Sequence, residues 1–237
     1  MARETISVEI DTDAMDSRTA LVAVSAFVAQ LQNRIGMAVP EDVPEDVEPA
    51  DNPPLAFVPE NANKPAPPMV WGAKVSPTFR ARIWWMACML RMDPNWIMAC
   101  IAWESGESFS AKKKNMAGSG ATGLIQFMPF TAKEMGTTVA KLAAMSDEDQ
   151  INWVYKYMKR AIERHGPLTN LEDTYMAILW PAAIGDPVSS PLWSRTGRPT
   201  TYRQNAGLDS NKDGTITKFE AASHVREKLT KGLRYMA

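Results

Sequence analysis

Long apolar runs are missing from this 237-residue sequence. No stretch approaches the ~18 apolar residues a spanning helix needs, so neither a transmembrane helix nor membrane insertion is expected. The opening MARETISVEIDTDAMD is acidic and polar, without the basic and apolar regions of a secretory signal peptide. The expectation is a chain made in a host cytoplasm without a leader. Cysteine is scarce. Cys88 and Cys100 both fall in apolar helical segments, where buried free thiols are the first reading and a disulfide between neighbouring helices the alternative. Strand signals are few, so the fold class expected is mainly α. Net charge is nearly absent at −1, but residues 1–70 hold four Lys/Arg against twelve Asp/Glu, and residues 71–237 hold 22 against 15. A basic body is drawn to polyanions, and nucleic acid and the bacterial envelope both qualify. No nucleic-acid motif accompanies the charge, so no nucleic-acid partner is expected.

Composition divides the chain into four segments. Residues 1–37 hold a short β-branched stretch, TISVEID at 4–10, and a helical pattern at 16–36 with Asp16 or Ser17 as its cap and Leu21, Val24, Phe27, Val28 and Leu31 on one face. Too small to bury a core alone, this segment is expected to dock on a partner or on the main domain. Residues 38–69 contain nine of the 17 prolines and the run EDVPEDVEPAD, a composition that favours an extended linker. The main domain spans 70–200 and a C-terminal segment 201–237. Ser76-Pro77 and Asp93-Pro94 each read as a helix cap followed by Pro at the first helical position. Further helices are expected at 130–136, 147–164 and 171–180, with long functional loops at 105–123 and 185–205.

Within PNWIMACIAWES, Ile97, Cys100, Ile101 and Glu104 recur at i, i+3, i+4, i+7, so Glu104 continues the apolar stripe of one helix face. Partial desolvation there favours the protonated acid, which a general acid working near neutral pH requires. The helix stops at Ser105-Gly106, and a Gly-rich loop follows with GSGATG inside it, tight enough for backbone to approach a ligand. Gln126 then stands in the apolar context LIQFMPF, where a buried amide needs a partner.

Glu104-Ser105, then Gly123, Leu124, Ile125, Gln126 and Phe127, then Met128-Pro129 and Thr131-Ala132, resemble the soluble lytic transglycosylase domain of glycoside hydrolase family 23, which also includes the goose-type lysozymes. The wording GSGATGLIQFMPFTA is closer to versions encoded by bacteriophages. The resemblance covers about residues 75–185 and implies a lysozyme-like α-helical domain, a peptidoglycan substrate, and Glu104 as catalytic acid/base. By the same resemblance Ser105, Asn115 and the segment Gly123–Phe127 contact substrate or hold the glutamate. The family's third motif carries Tyr-Asn; here TYMAILWPAAIG supplies Tyr175 but no Asn after it, so Tyr175 is a candidate partner of Glu104 and Trp180-Pro181 an alternative wall of the sugar site.

Ordinary glycosidases place two carboxylates about the scissile bond. The position where goose-type lysozymes carry Asp is Met128 here, and neither Glu107 nor Asp147 has a supporting motif. A one-carboxylate site fits the transglycosylase route, in which the muramic sugar's own C6 hydroxyl replaces water. Direct hydrolysis, as in a muramidase, is the near alternative.

Residues 209–220, DSNKDGTITKFE, place Asp209, Asn211, Asp213, Thr217 and Glu220 at positions 1, 3, 5, 9 and 12 of an EF-hand-like loop. Gly214 takes the sharp turn and Thr215 offers its carbonyl. A structural Ca2+ is expected, and no organic cofactor. Two functional readings compete. One is an active peptidoglycan-cleaving enzyme carried in a phage virion, joined to tail or baseplate proteins through its N-terminal segment and acting on the periplasmic cell-wall layer. The other is a tail component that binds the wall without cutting it.

Overall fold

The computed structural model of the protein describes residues 66–115 and 118–237. The expected strand at 4–10, the helix at 16–36 and most of the linker lie outside the described residues. The described chain is mainly helical. Among these residues no helix is long and apolar enough to cross a membrane, and both cysteines are free thiols.

Helix starts follow local chemistry. α1 (Pro77–Leu90) begins where Ser76 Oγ accepts from Phe79 N–H at 3.0 Å, and α2 (Pro94–Glu104) where Asp93 accepts from Asn95 N–H at 2.8 Å, each with Pro at the first turn. After α3 (Pro129–Glu134) and α4 (Val139–Ala144), the long α5 (Asp147–His165) opens with three acids and closes on Arg164 and His165, matching the helix dipole at both ends. Asn170 caps α6 (Leu171–Leu179).

Helix α2 lies at the centre. Every residue from Ile97 to Ala102 is fully buried, so the helix is enclosed on all sides rather than along the single stripe its spacing suggested. α1 packs on α5, and α6 and the C-terminal helix pack on α2.

The region 185–205, expected as a loop, holds β1 (Pro191–Ser194) and α7 (Pro199–Gln204). β1 pairs antiparallel with β2 (Thr215–Thr217), with a register irregularity between Pro191 and Trp193. Four-residue and three-residue strands carry too short an alternation to be read from sequence.

β2 runs into α8 (Lys218–Ala221) and α9 (Ser223–Gly232). α9 returns the C-terminus to the core. Its Lys228 carbonyl accepts from Trp71 Nε1 at 2.9 Å, and Met69 N–H donates to the terminal Ala237 carbonyl at 3.2 Å. Met69 and Val70 are buried beside this contact.

One buried amide ties three loops together. Gln150, fully enclosed, accepts from Leu124 N–H at 2.7 Å and donates to the Ala111 and Leu142 carbonyls at 3.2 and 2.9 Å. Gln150→Leu keeps the volume but strands one donor and two acceptors. At ~1–3 kcal/mol for a buried polar group left unmade, the variant is expected to lose about 3 kcal/mol or more. An unfolding midpoint in urea equal to that of the wild type would show that these bonds are dispensable.

Candidate active site

Glu104 occupies the last turn of α2, and the chain turns away at once. Gly106, Glu107 and Phe109 adopt left-handed backbone, with φ of 63, 66 and 51°. Two of these carry side chains, so the turn is strained and must be held by its surroundings. Ser105, fully buried, accepts from Phe109 N–H at 3.0 Å through Oγ, while its carbonyl accepts from Ser108 Oγ at 2.8 Å. Glu107 is held from α9, by Lys228 and by Lys231 at 2.7 Å. Burial alone would raise the Glu107 pKa, but the two ammonium groups outweigh it and hold this carboxyl below the usual range.

Glu104 is partly buried. Its charge acts on three neighbours: burial first, and then Glu104, pushes the Tyr157 phenol up to about 12 and raises the Tyr175 phenol and the Cys100 thiol well above their ordinary values. Tyr175 accepts from Trp103 Nε1 at 3.2 Å, and Trp103 stacks on His224 of α9 with ring centroids 4.6 Å apart. Tyr157 donates to the Ala177 carbonyl at 2.8 Å.

The segment 123–127 is a tight turn closed by Thr122 and Phe127, whose N–H groups bond each other's carbonyls at 3.0 and 2.8 Å. Gln126 stands at its tip with φ 55° and donates from Nε2 to the Gly123 carbonyl at 2.9 Å and the Lys113 carbonyl at 3.1 Å. Asn115 Nδ2 lies 3.5 Å from Gln126 Oε1. Gly123 has φ 92°, and a Cβ there would meet Gln150 Oε1 at 2.3 Å, so glycine is required on both counts. Phe127 meets the Tyr157 ring edge-on at 6.0 Å. The turn therefore abuts a tyrosine within the field of Glu104.

The structure thus links Glu104 to Tyr175 and Tyr157, Tyr157 to Phe127 of the turn, and Gln126 of the same turn to Asn115. Ser105, Leu124 and Ile125 are buried. Tyr157, Trp103 and His224 also belong to the region and were not singled out by sequence. Tyr157 lies on the buried stripe of α5 with Val154 and Met158, a spacing that reads as ordinary core. Both acids considered as second carboxylates are engaged elsewhere, Glu107 with its lysines and Asp147 with Ala111 N–H at 2.6 Å.

At the C-terminal loop, Asp209 is buried, and its Oδ2 accepts from Tyr202 Oη at 2.5 Å and from Gly214 N–H at 3.0 Å. These bonds hold its carboxyl below the usual range. Its Oδ1 is buried without a hydrogen-bond partner. Gly214 takes φ 87°, and Ile216 is buried. Thr217 and Glu220 form a reciprocal capping box at the start of α8, and Glu220 also accepts from Ser210 Oγ at 3.0 Å. Asn211 and Asp213 accept from loop amides at 2.9 and 2.8 Å. Among the described residues no three His, Cys, Asp or Glu side chains already form a metal cluster. Asp209 Oδ1 is nevertheless a buried acceptor of the kind a hard cation satisfies, at the first position of an oxygen-donor loop.

Residues 84–177 match the family model described as the transglycosylase SLT domain. No curated protein and no solved structure matches the chain.

Proposed function

We propose that residues 84–177, which match the transglycosylase SLT domain model, act as a lytic transglycosylase on peptidoglycan, with Glu104 as the single acid/base that cuts the bond between N-acetylmuramic acid and N-acetylglucosamine without water. The observation that supports this most is the placement of Glu104, partly buried at a helix end with its charge felt by the Tyr157 and Tyr175 phenols, while the neighbouring acids are committed to other partners.

In the proposed reaction Glu104 donates its proton to the leaving glycosidic oxygen as the C1–O4 bond breaks. The carbonyl oxygen of the sugar's N-acetyl group shares the positive charge left at C1. The resulting Glu104 carboxylate takes the proton from the C6 hydroxyl of the same sugar, and O6 attacks C1. Atoms balance without water: one glycosidic bond is lost, one 1,6-anhydro bond forms, and Glu104 regains its proton. Met128 supports this route over hydrolysis, since a thioether cannot act as a base for water. Tyr175, oriented by Trp103, and the 123–127 turn with Asn115 are the proposed positioning and sugar-contacting groups.

Purified cell wall tests the reading. The wild type is expected to clear a wall suspension. Binding to the wall without clearing would instead favour the non-cutting tail component, a reading that rests on Met176 standing where the family has Asn.

The proposal extends to the two ends of the chain. Residues 1–37, joined through the acidic, Pro-rich 38–69, are the proposed attachment to phage tail or baseplate proteins, on the strength of their composition. The loop 209–220 is proposed to bind one Ca2+ through Asp209, Asn211, Asp213, Glu220, the Thr215 carbonyl and Thr217, with a structural role at the base of α9. A hundredfold excess of Ca2+ over its Kd is expected to stabilise the protein by about 2.7 kcal/mol, and Asp209→Ala should lose this response. A melting curve indifferent to Ca2+ would remove the metal from the proposal.

A further inference from the structure

Beside Tyr157 lies a cavity of about 210 Å³ that the acid/base step does not use. Thr131 and Glu134 of α3, Tyr157, Arg160 and Arg164 of α5, and Trp180 at the end of α6 form its walls. At ~30 Å³ for each water of the liquid, the space equals roughly seven waters, enough for a group of amino-acid size.

Its charge is cationic. Arg160 and Arg164 face it, against one carboxylate, Glu134. Glu134 stands 3.6 Å from Arg160, beyond hydrogen-bond length, and both side chains keep about a third of their surface exposed, at 36% and 31%. Complementing the C-terminal dipole of α5 accounts for Arg164 and His165. It does not account for Arg160, a turn earlier, which faces the same cavity. Guanidinium groups beside an aromatic wall suit a planar carboxylate, which they bind bidentately.

The cavity also shares a wall with the region around Glu104. Tyr157 lines the cavity, touches Phe127 edge-on and feels the Glu104 charge. In peptidoglycan the muramic sugar bears a peptide stem with free carboxylates on its lactyl group. Through Tyr157 the cavity adjoins the proposed seat of that sugar.

We propose that the cavity is a subsite for a carboxylate of that peptide stem, held by Arg160 and Arg164. The inference rests on the peptidoglycan-cleaving reading above and makes the enzyme selective for peptide-bearing glycan strands.

The test compares kcat/KM on soluble glycan strands that carry their stems with kcat/KM on strands stripped of them by an amidase. For the wild type the ratio is expected to be about tenfold or more, the scale of one hydrogen bond to a charged group. In the double variant Arg160→Gln/Arg164→Gln the ratio should fall toward one. Arg164→Gln alone changes an exposed residue outside the Arg160–Glu134 pair, and it should reduce the ratio even if the double variant folds poorly. A wild-type ratio near one, or a ratio unchanged in Arg164→Gln, would overturn the subsite while leaving the enzyme reading intact. Failure of the wild type to cut either strand would instead bring down the enzyme reading, and this inference with it.

Discussion

Glu104→Gln is expected to abolish clearing of purified cell wall while leaving the protein folded. The amide keeps the size and shape of the carboxyl but can neither give nor take a proton at neutral pH. General acid–base catalysis contributes ~10²–10⁴-fold, and here one group serves both half-steps, so the loss should lie toward the upper end. Glu104 is only partly buried at the end of α2, so the exchange disturbs no closed core. The melting temperature should therefore move little. Clearing at an undiminished rate by Glu104→Gln would remove this residue from the chemistry. Equal clearing by Glu107→Gln and the wild type is also expected, because Glu107 is spent on Lys228 and Lys231.

The largest stability loss is expected from Lys218→Met. Lys218 is completely buried and donates to Asp173 and to the carbonyls of Ala183 and Asp186, both at 2.9 Å. Asp173 is buried as well, and accepts from Gly185 N–H at 3.0 Å and from Thr169 Oγ at 2.8 Å. This one ammonium group fastens the start of α8 to α6 and to the turn that follows it. Removing it leaves a buried carboxylate without its counter-charge, a change worth ~3–5 kcal/mol. Against the ~5–15 kcal/mol stability typical of folded proteins, the variant should be close to unfolding at 37 °C. Unfolding in urea, followed by circular dichroism, gives the number. A loss under about 1 kcal/mol would mean the pair contributes no more than an exposed ion pair does.

The pH dependence has the same origin. Burial would raise the Asp173 pKa, but Lys218, the Gly185 amide and Thr169 outweigh it and hold the value below normal. A depressed folded-state pKa gives stability that is fully present above the unfolded value near 4 and is lost as pH falls through the folded one. Glu107, Asp149, Asp209 and Glu220 are shifted in the same direction. The melting temperature of the wild type should therefore fall steeply on acidification below pH 4, and less steeply in Lys218→Met.

Much of the helical scaffold was legible because its signals are local. Ser76-Pro77 and Asp93-Pro94 start helices where their chemistry says they should, and the helices read at 147–164 and 171–180 differ from the observed spans by a single residue at one end. The placement of Glu104 at a helix end was equally local. What escaped detection depends on contacts between residues far apart in the chain. Gln150 looks like one polar residue in an amphipathic helix until the loops at 111, 124 and 142 close on it. Lys218 looks like a surface lysine until Asp173, 45 positions away, reaches it. Packing of α9 on α2 and the turn after it, through Trp103 with His224 and Glu107 with Lys228, gives no periodic signal at all, and the same holds for Arg160 and Trp180 meeting at one cavity.

Mass spectrometry of the fragments released from purified peptidoglycan bears most directly on the one-carboxylate reaction. Every new muramic terminus should be lighter by one water than its hydrolysed counterpart, and digestion in ¹⁸O-water should leave it unlabelled. Termini of full hydrated mass carrying ¹⁸O would show that water, not the C6 hydroxyl, attacks C1, and would contradict the anhydro route.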